Sequence, residues 1–281
     1  MQTFGLLLQG DGQMTKERFK TADISGLDQF APPGLIDESD YETVNWEKDR
    51  ETILRKISMI RRCLPVDSVI DFGGMWEVDG LYSRLCREKF GVPRVTMVDK
   101  FESENWVRNP SLRTGIDFRK GDFSDEQFMA TIREPHDLAL AYDVLIHQID
   151  LRHTLSLMLS KTKKFFLVSQ PILPEKLMPF RNCLVLLSGS KSCSLIPFHE
   201  KWTKEVNYWA NFSDATIIDT DHWLWGMTPS FIKSLMAGFG WKLIHKEFWR
   251  GWLPRPSKWK ICGLIFTRTQ TNHKLNSASS S

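Results

Sequence analysis

Short apolar runs alternate with segments of helical periodicity along the middle of the chain. The first helical segment spans residues 45–64, where Ile53, Ile57 and Ile60 recur on one face. The basic residues of this segment are expected mostly outside that face; they are Arg55, Lys56, Arg61 and Arg62. Pro65 is expected to end the helix.

Five short strands are predicted after this helix, with helices between them. The strands are expected at residues 67–71, 94–99, 115–119, 137–142 and 164–169, and the helices at residues 80–90, 125–133 and 150–160. Gln170 and Pro171 are expected to end the fifth strand. This alternation predicts an α/β protein with a parallel sheet and helices on both of its faces.

The alternation stops at residues 172–226, which are aromatic and rich in turn residues, and we interpret them as an inserted cap. It returns where Thr228 is a predicted N-cap and Pro229 takes the first helical position. A helix at 229–237 and strands at 241–248 and 260–267 are expected to follow. The predicted divisions are an N-terminal arm and helix (1–64), a core (65–171), the cap (172–226), the C-terminal part of the core (227–269) and a disordered tail (270–281).

The composition is that of a globular protein with a small net charge. The 281 residues are 42% hydrophobic and carry a formal charge of +3, which is weak for a dedicated nucleic-acid binder. The five cysteines form no Cys-x-x-Cys pair, which favours reduced thiols in a cytoplasmic protein without a zinc site. No apolar run approaches the length of a membrane helix. The eleven tryptophans are expected mainly to fill the core, although such rings also wall ligand pockets.

A glycine turn follows the first predicted strand. Asp71 ends that strand, and Gly73 and Gly74 come before the next predicted helix. A strand, a glycine turn and a helix in this order bring the backbone close to a nucleoside ligand. The second strand also ends in an acid, Asp99, in the window where nucleotide-binding folds place a carboxylate for ribose hydroxyls. The two strand ends together predict a nucleoside site.

The order of these elements resembles the class I S-adenosylmethionine-dependent methyltransferases over residues 66–170 and 228–267. The motifs that carry the resemblance are Asp71-x-Gly73-Gly74, Asp99, Asp122-Phe123, the segment from Ala141 to Gln148, and Thr228-Pro229-Ser230 with Gly238-Phe239. The helix predicted at 229–237, here called the late helix, is also similar to that of tRNA wobble-uridine carboxymethyltransferases. The resemblance implies a doubly wound, mostly parallel seven-stranded sheet of the Rossmann-like methyltransferase type, with S-adenosylmethionine as cofactor.

The resemblance also implies roles for individual residues at the cofactor. The expected cofactor-binding set is Asp71, Gly73 and Gly74 beside the methionine moiety, Asp99 and Lys100 beside the ribose, Asp122 and Phe123 beside the adenine, and Tyr142 at the end of the fourth strand. Asp71 either orders the glycine turn or contacts the amino group of the cofactor. For each carboxylate the alternative is a structural part, as the cap of a turn or as a solvated loop residue, and Lys100 is equally well explained as a solvated residue.

The glycine turn departs from the family pattern. Where these methyltransferases usually have Gly-x-Gly-x-Gly, the chain has Gly73-Gly74-Met75-Trp76-Glu77. Met75 and Glu77 therefore stand at the second and third glycine positions. Either the turn is wider here, or Gly74 and Gly80 provide the close approach to the ligand.

The fourth strand is expected to open into the site of methyl transfer. His147 is the first candidate base because an imidazole titrates near neutrality, and a structural histidine is the alternative. Asp143 is expected to polarise His147 or to contact the substrate. His222, in the cap just before the Thr228 helix, is the second candidate base.

The leading hypothesis is a cytoplasmic enzyme that transfers a methyl group from S-adenosylmethionine to an oxygen or nitrogen of a small molecule. The first alternative is a tRNA- or RNA-modifying methyltransferase, suggested by the late helix and by the basic aromatic residues of 249–260, but the weak net charge disfavours nucleic acid. The second alternative is a non-catalytic, methyltransferase-like binding subunit, suggested by the irregular glycine turn. No membrane partner and no particular oligomeric state are predicted.

Overall fold

The computed structural model describes residue 35 and residues 46–75, 78–178, 180–186, 225–250 and 260–269. The helices in these ranges are α1 (Trp46–Arg62), α2 (Leu81–Glu88), α3 (Glu104–Arg108), α4 (Glu126–Thr131), α5 (Leu151–Ser160) and α6 (Pro229–Gly238). The strands are β1 (Ser68–Phe72), β2 (Arg94–Asp99), β3 (Ile116–Lys120), β4 (His136–Tyr142), β5 (Thr162–Ile172), β6 (Leu184–Leu186), β7 (Trp225–Met227), β8 (Trp241–Trp249) and β9 (Lys260–Arg268). Short 3₁₀ turns occupy Pro110–Arg113, Leu145–His147 and Glu175–Leu177.

Seven of the strands form one mixed sheet in the order β3-β2-β1-β4-β5-β9-β8. Strands β1 to β5 are parallel to one another, whereas β9 runs antiparallel to both β5 and β8. Strands β6 and β7 pair separately as a small antiparallel sheet. The predicted doubly wound, mostly parallel seven-stranded sheet is confirmed.

The strand order reverses between β1 and β4, which defines where a ligand can bind. The connection from β1 leads outward to β2, and the connection from β4 leads in the opposite direction to β5. The chain segments that follow β1 and β4 therefore diverge and leave a crevice at the carboxyl edge of the sheet. The glycine turn and the segment after Tyr142 border this crevice.

The core is built around the two central strands. Every residue of β1 and of β4 is buried, as expected for strands of a parallel sheet that is covered on both faces. Helix α1 contributes Ile53, Ile57 and Ile60 to the same core, as predicted.

Lys56 corrects the expectation for α1. It is only 6% exposed, although the basic residues of this helix were expected mostly outside the apolar face, as Arg61 and Arg62 are. Lys56 follows Ile53 by three positions and precedes Ile60 by four, and this spacing places the three side chains on the same side of a helix. A lysine at such a position must be paired when it is buried, and the partner lies at the end of β4.

Strand β5 also differs from the prediction at its end. It continues through Gln170 and Pro171 to Ile172. Its pairing with β4 stops at Ser169, while the antiparallel pairing with β9 continues to Ile172. Proline is tolerated there because this part of β5 has a neighbour on one side only. The prediction that Gln170 and Pro171 end the strand is wrong.

Several predictions fall on parts of the chain outside the described residues. These are the N-terminal arm before α1 apart from residue 35, the cap between residues 187 and 224 with His222, and the tail 270–281. Within the described ranges, no helix has the length and apolar character needed to cross a membrane.

Candidate functional site

The glycine turn connects β1 to α2 and is held by backbone hydrogen bonds at both of its ends. The N–H of Gly73 donates to the carbonyl of Val98 at 2.8 Å, and the N–H of Gly80 donates to the carbonyl of Gly74 at 2.9 Å. Both Gly73 and Gly80 have a positive φ, 77° and 71°, which a residue without Cβ adopts at little cost. Gly80 therefore shares with Gly74 the closing of the turn.

Gly73 and Gly74 are required by close packing within the protein. A Cβ on Gly73 would overlap the side chain of Val144, just after β4. A Cβ on Gly74 would overlap the carboxylate of Asp71. The turn therefore lies directly against the ends of β1 and β4.

Met75 shows how the turn accommodates a residue where the family usually has glycine. Its side chain is buried in a small cluster with Met97 of β2 and Trp106 of α3. Its backbone N–H donates to Oδ2 of Asp99 at 2.9 Å. The side chain is thus taken up by the protein interior. Glu77, the other departure, lies outside the described residues.

Asp99 ends β2 and binds backbone groups with both of its oxygens. Besides the bond from Met75, Oδ1 accepts the N–H of Phe101 at 3.0 Å. Burial raises the pKa of Asp99 above its ordinary value, while the N–H bonds from Phe101, Met75 and Lys100 work in the opposite direction. Asp99 therefore fixes the glycine turn and the loop after β2 relative to each other.

Asp71 lies beneath the turn. Its Oδ2 accepts a hydrogen bond from the hydroxyl of Ser83 in α2 at 2.9 Å, and the residue is 1% exposed. Burial raises its pKa to about 7; the Ser83 bond and the charge of Lys56 lower it, and the charge of Asp99 raises it. In this arrangement Asp71 connects the end of β1 to α2 and supports the turn.

Lys100 and Asp122 form an ion pair across the loops that follow β2 and β3. Their charged atoms are 2.6 Å apart, and Oδ1 of Asp122 also accepts both the N–H and the hydroxyl of Ser124. Although burial alone would raise it, the bonds from Lys100 and Ser124 hold the pKa of Asp122 below its ordinary value. Phe123 is buried edge-to-face against Phe72, with ring centroids 5.9 Å apart. Lys100 is therefore paired in this structure and is not a free surface charge.

Tyr142 and Asp143, at the end of β4, meet Lys56 from α1. Lys56 Nζ lies 2.6 Å from Oδ2 of Asp143, and the Tyr142 hydroxyl donates to the carbonyl of Lys56 at 3.1 Å. Asp143 adopts a positive φ of 59°, which is uncommon for a residue other than glycine. Burial raises the pKa of Tyr142 well above its ordinary value, so this tyrosine stays neutral.

His147 ends the 3₁₀ turn that follows Asp143. It is half-buried, and its backbone N–H donates to the carbonyl of Val144 at 3.2 Å. Its part as a base remains a prediction, and His222 lies outside the described residues. Among the described residues, no group of three or more histidine, cysteine or acidic side chains is arranged to hold a metal ion.

No protein-family model and no curated protein sequence matches the chain. Solved structures do match its architecture. A putative sarcosine dimethylglycine methyltransferase from Galdieria sulphuraria superimposes with a TM-score of 0.50 at 11% identity, over 78% of this chain and 84% of that chain. Coclaurine N-methyltransferase, solved with N-methylheliamine and S-adenosylhomocysteine, gives a TM-score of 0.50 at 12% identity, over 76% of this chain and 73% of that chain. The chain has the class I methyltransferase fold.

Within this methyltransferase fold, the sequence interpretation missed three residues of the site. They are Lys56, which pairs with Asp143, Ser83, which donates to Asp71, and Tyr82, whose ring packs edge-to-face on Tyr142 at 5.0 Å. The helical spacing of Lys56 relative to Ile53 and Ile60 was a usable signal. Ser83 and Tyr82 lie in the first turn of the helix after the glycine turn, where side chains face the strand ends.

The free energy of unfolding of the Asp71→Asn variant is expected to increase relative to that of wild type as the pH rises. The pKa of Asp71 is raised to about 7 in the folded protein, against about 3.9 in an unfolded chain. The folded state therefore keeps a proton that the unfolded state releases between these values. Raising the pH from about 5 to about 8 should cost the wild type about 2.5 kcal/mol of stability at this residue, and asparagine does not titrate. Urea unfolding of both proteins at the two pH values measures the difference in stability between variant and wild type. If Asp71 had an ordinary pKa, this difference would be the same at both pH values.

Gly73→Ala is expected to destabilise the protein by about 3 kcal/mol, because the new Cβ is strained at positive φ and overlaps Val144. Gly91→Ala is the matched control. Gly91 also has a positive φ, but no atom lies within 4 Å of its added Cβ, so the cost there should be about 1 kcal/mol. Denaturant unfolding of the two variants compares the costs, and equal losses would show that Val144 does not crowd the turn.

Proposed function

We propose that this protein is an S-adenosylmethionine-dependent methyltransferase that acts on an oxygen or nitrogen of a small molecule. The observation that carries the proposal is the glycine turn, which the buried carboxylate of Asp99 holds at the point where the strand order reverses between β1 and β4. The fold supports it, because both structures named above are methyltransferases by name and one was solved with S-adenosylhomocysteine.

The residues at the strand ends fit the proposed cofactor. Asp99 accepts backbone N–H bonds from Met75, Phe101 and Lys100, and it ends β2 at the carboxyl edge of the sheet, where nucleotide-binding folds place an acid for ribose hydroxyls. Phe123 and the Lys100–Asp122 pair lie at the ends of β2 and β3, where the adenine would bind.

The cofactor would supply an electrophilic methyl group on a sulfonium, and the chain would supply alignment and exclusion of water. His147 ends the 3₁₀ turn that follows β4 at the carboxyl edge of the sheet. Trp225 Nε1 donates to the carbonyl of Gln148 at 2.7 Å, which brings the C-terminal base of the cap beside His147. We propose that His147 accepts a proton from an acceptor that must lose one, and that the cap encloses that acceptor.

A small-molecule acceptor is favoured over nucleic acid. The formal net charge is only +3, and sarcosine and coclaurine, in the names of the two neighbours, are small amines. We place the enzyme in the cytoplasm, since four of its cysteines are free thiols in the described residues.

Asp99→Asn tests the cofactor assignment. The substitution removes a charge that the ribose hydroxyls and Met75 would share, so we expect binding of S-adenosylhomocysteine to weaken about tenfold to a hundredfold. Isothermal titration calorimetry measures this. Asp117→Asn is the matched control, because Asp117 is an exposed acid in β3 that pairs with Arg119, and its affinity should equal that of wild type.

Three results would count against parts of the proposal. Wild type that binds neither S-adenosylmethionine nor S-adenosylhomocysteine would exclude the cofactor, and unaltered binding by Asp99→Asn would exclude the site. Binding without formation of S-adenosylhomocysteine from any of a panel of small amines, alcohols and phenols would favour the non-catalytic binding subunit.

A further inference from the structure

Lys56 and Asp143 form a charge pair at the carboxyl edge of the sheet, where β4 ends. The pair joins α1 to the end of β4 at 2.6 Å, and the side chain of Lys56 is 8% exposed against 33% for Asp143. Because the ammonium is largely removed from water, its position is set by its protein neighbours and not by solvent.

Two tyrosine rings hold the ammonium from the other sides. Nζ lies 5.7 Å from the ring centroid of Tyr82 and 5.1 Å from that of Tyr142, within the range of a cation–π contact. The Tyr142 hydroxyl also bonds to the backbone of Lys56. Contacts to both the ammonium and the backbone carbonyl therefore fix the position of Lys56.

Asp143 keeps one acceptor unused. Its Oδ2 takes the Lys56 bond, while Oδ1 is buried and has no hydrogen-bond partner in the described part of the structure. Its backbone is fixed as well, because its N–H donates to the carbonyl of Ser169 at 2.7 Å. A buried carboxylate oxygen without a partner is costly unless a ligand or water satisfies it.

The pair lies beside the start of the glycine turn. Val144, next to Asp143, packs against Gly73, and Tyr82 belongs to the first turn of α2 that follows Gly80. The family resemblance places the methionine moiety at this end of the turn. Asp71, expected there from the sequence, is 1% exposed and bonded to Ser83, and the N–H of Met75 is already used by Asp99.

We infer that Lys56 and Asp143 together bind the α-amino acid group of the methionine moiety. Oδ1 of Asp143 accepts the α-ammonium, and a free N–H of the Lys56 ammonium, which has three donors, donates to the α-carboxylate. The two charges of the pair thus match the two charges of the ligand. This inference rests on the proposed function and assigns the methionine end of its cofactor.

A comparison of two ligands isolates this contact. S-adenosylhomocysteine carries the amino-acid group, whereas 5′-methylthioadenosine has the same adenosine and thioether without it. Lys56→Met should weaken the binding of S-adenosylhomocysteine about tenfold or more and leave the affinity for 5′-methylthioadenosine within about twofold of that of wild type. Asp143→Asn, which keeps the shape of the side chain, should discriminate in the same direction. Both affinities are measured by calorimetry.

Lys164→Met is the matched control. Lys164 also pairs with an aspartate, Asp137 at 3.3 Å, but near the amino ends of β4 and β5, away from the glycine turn. The affinities of this variant for both ligands should therefore equal those of wild type. Retained binding of 5′-methylthioadenosine shows that each variant is folded at its adenosine site.

The outcomes separate the two proposals. If wild type binds neither ligand, the proposed function fails and the inference fails with it. If wild type binds both and the Lys56 and Asp143 variants weaken both ligands equally, or neither, the function stands and the assignment to the amino-acid group is overturned.

Discussion

The hydrogen bond between the Met75 N–H and the Asp99 carboxylate is the constraint on which the crevice depends. It is buried, so breaking it would leave the desolvated N–H of Met75 without a partner and remove one of the bonds that the Asp99 carboxylate accepts. By joining the end of β2 to the glycine turn, it presses Gly73 against Val144 and Gly74 over Asp71. The ends of β1, β2 and β4 are therefore brought together against the glycine turn.

The same edge of the sheet concentrates negative charge. Asp71 and Asp99 are buried and Asp143 is half-buried, and the cations described beside these carboxylates are Lys56 and Lys100. Burial and mutual repulsion explain why the pKa of Asp71 is raised to about 7. An excess of carboxylates suits a ligand with positive charge, and a sulfonium with an α-ammonium is such a ligand.

Most of the fold could be predicted from the sequence because its signals are local. Alternating apolar runs and turn residues gave β1 to β4 within one residue at each end, and Asp71 and Asp99 mark strand ends that sheet geometry brings together. Side-chain direction and pairing over long separations are not local. Lys56 and Asp143 are 87 residues apart, and only the packing of α1 on the sheet brings them together. The inward turn of Met75 likewise depends on Met97 and Trp106, which belong to other elements.

The small sheet of β6 and β7 has a consequence for how this protein can diverge. Leu186 and Trp225 are paired across it, so the segment between them leaves and returns at adjacent points. Thr228 reinforces this closure, since its N–H donates to the carbonyl of Cys183 at 3.0 Å. The entropic cost of closing a loop grows only slowly with its length. Segments of other lengths and sequences could therefore be exchanged between β6 and β7 with the seven-stranded sheet left intact, which makes this pair of strands a natural junction for building chimeras.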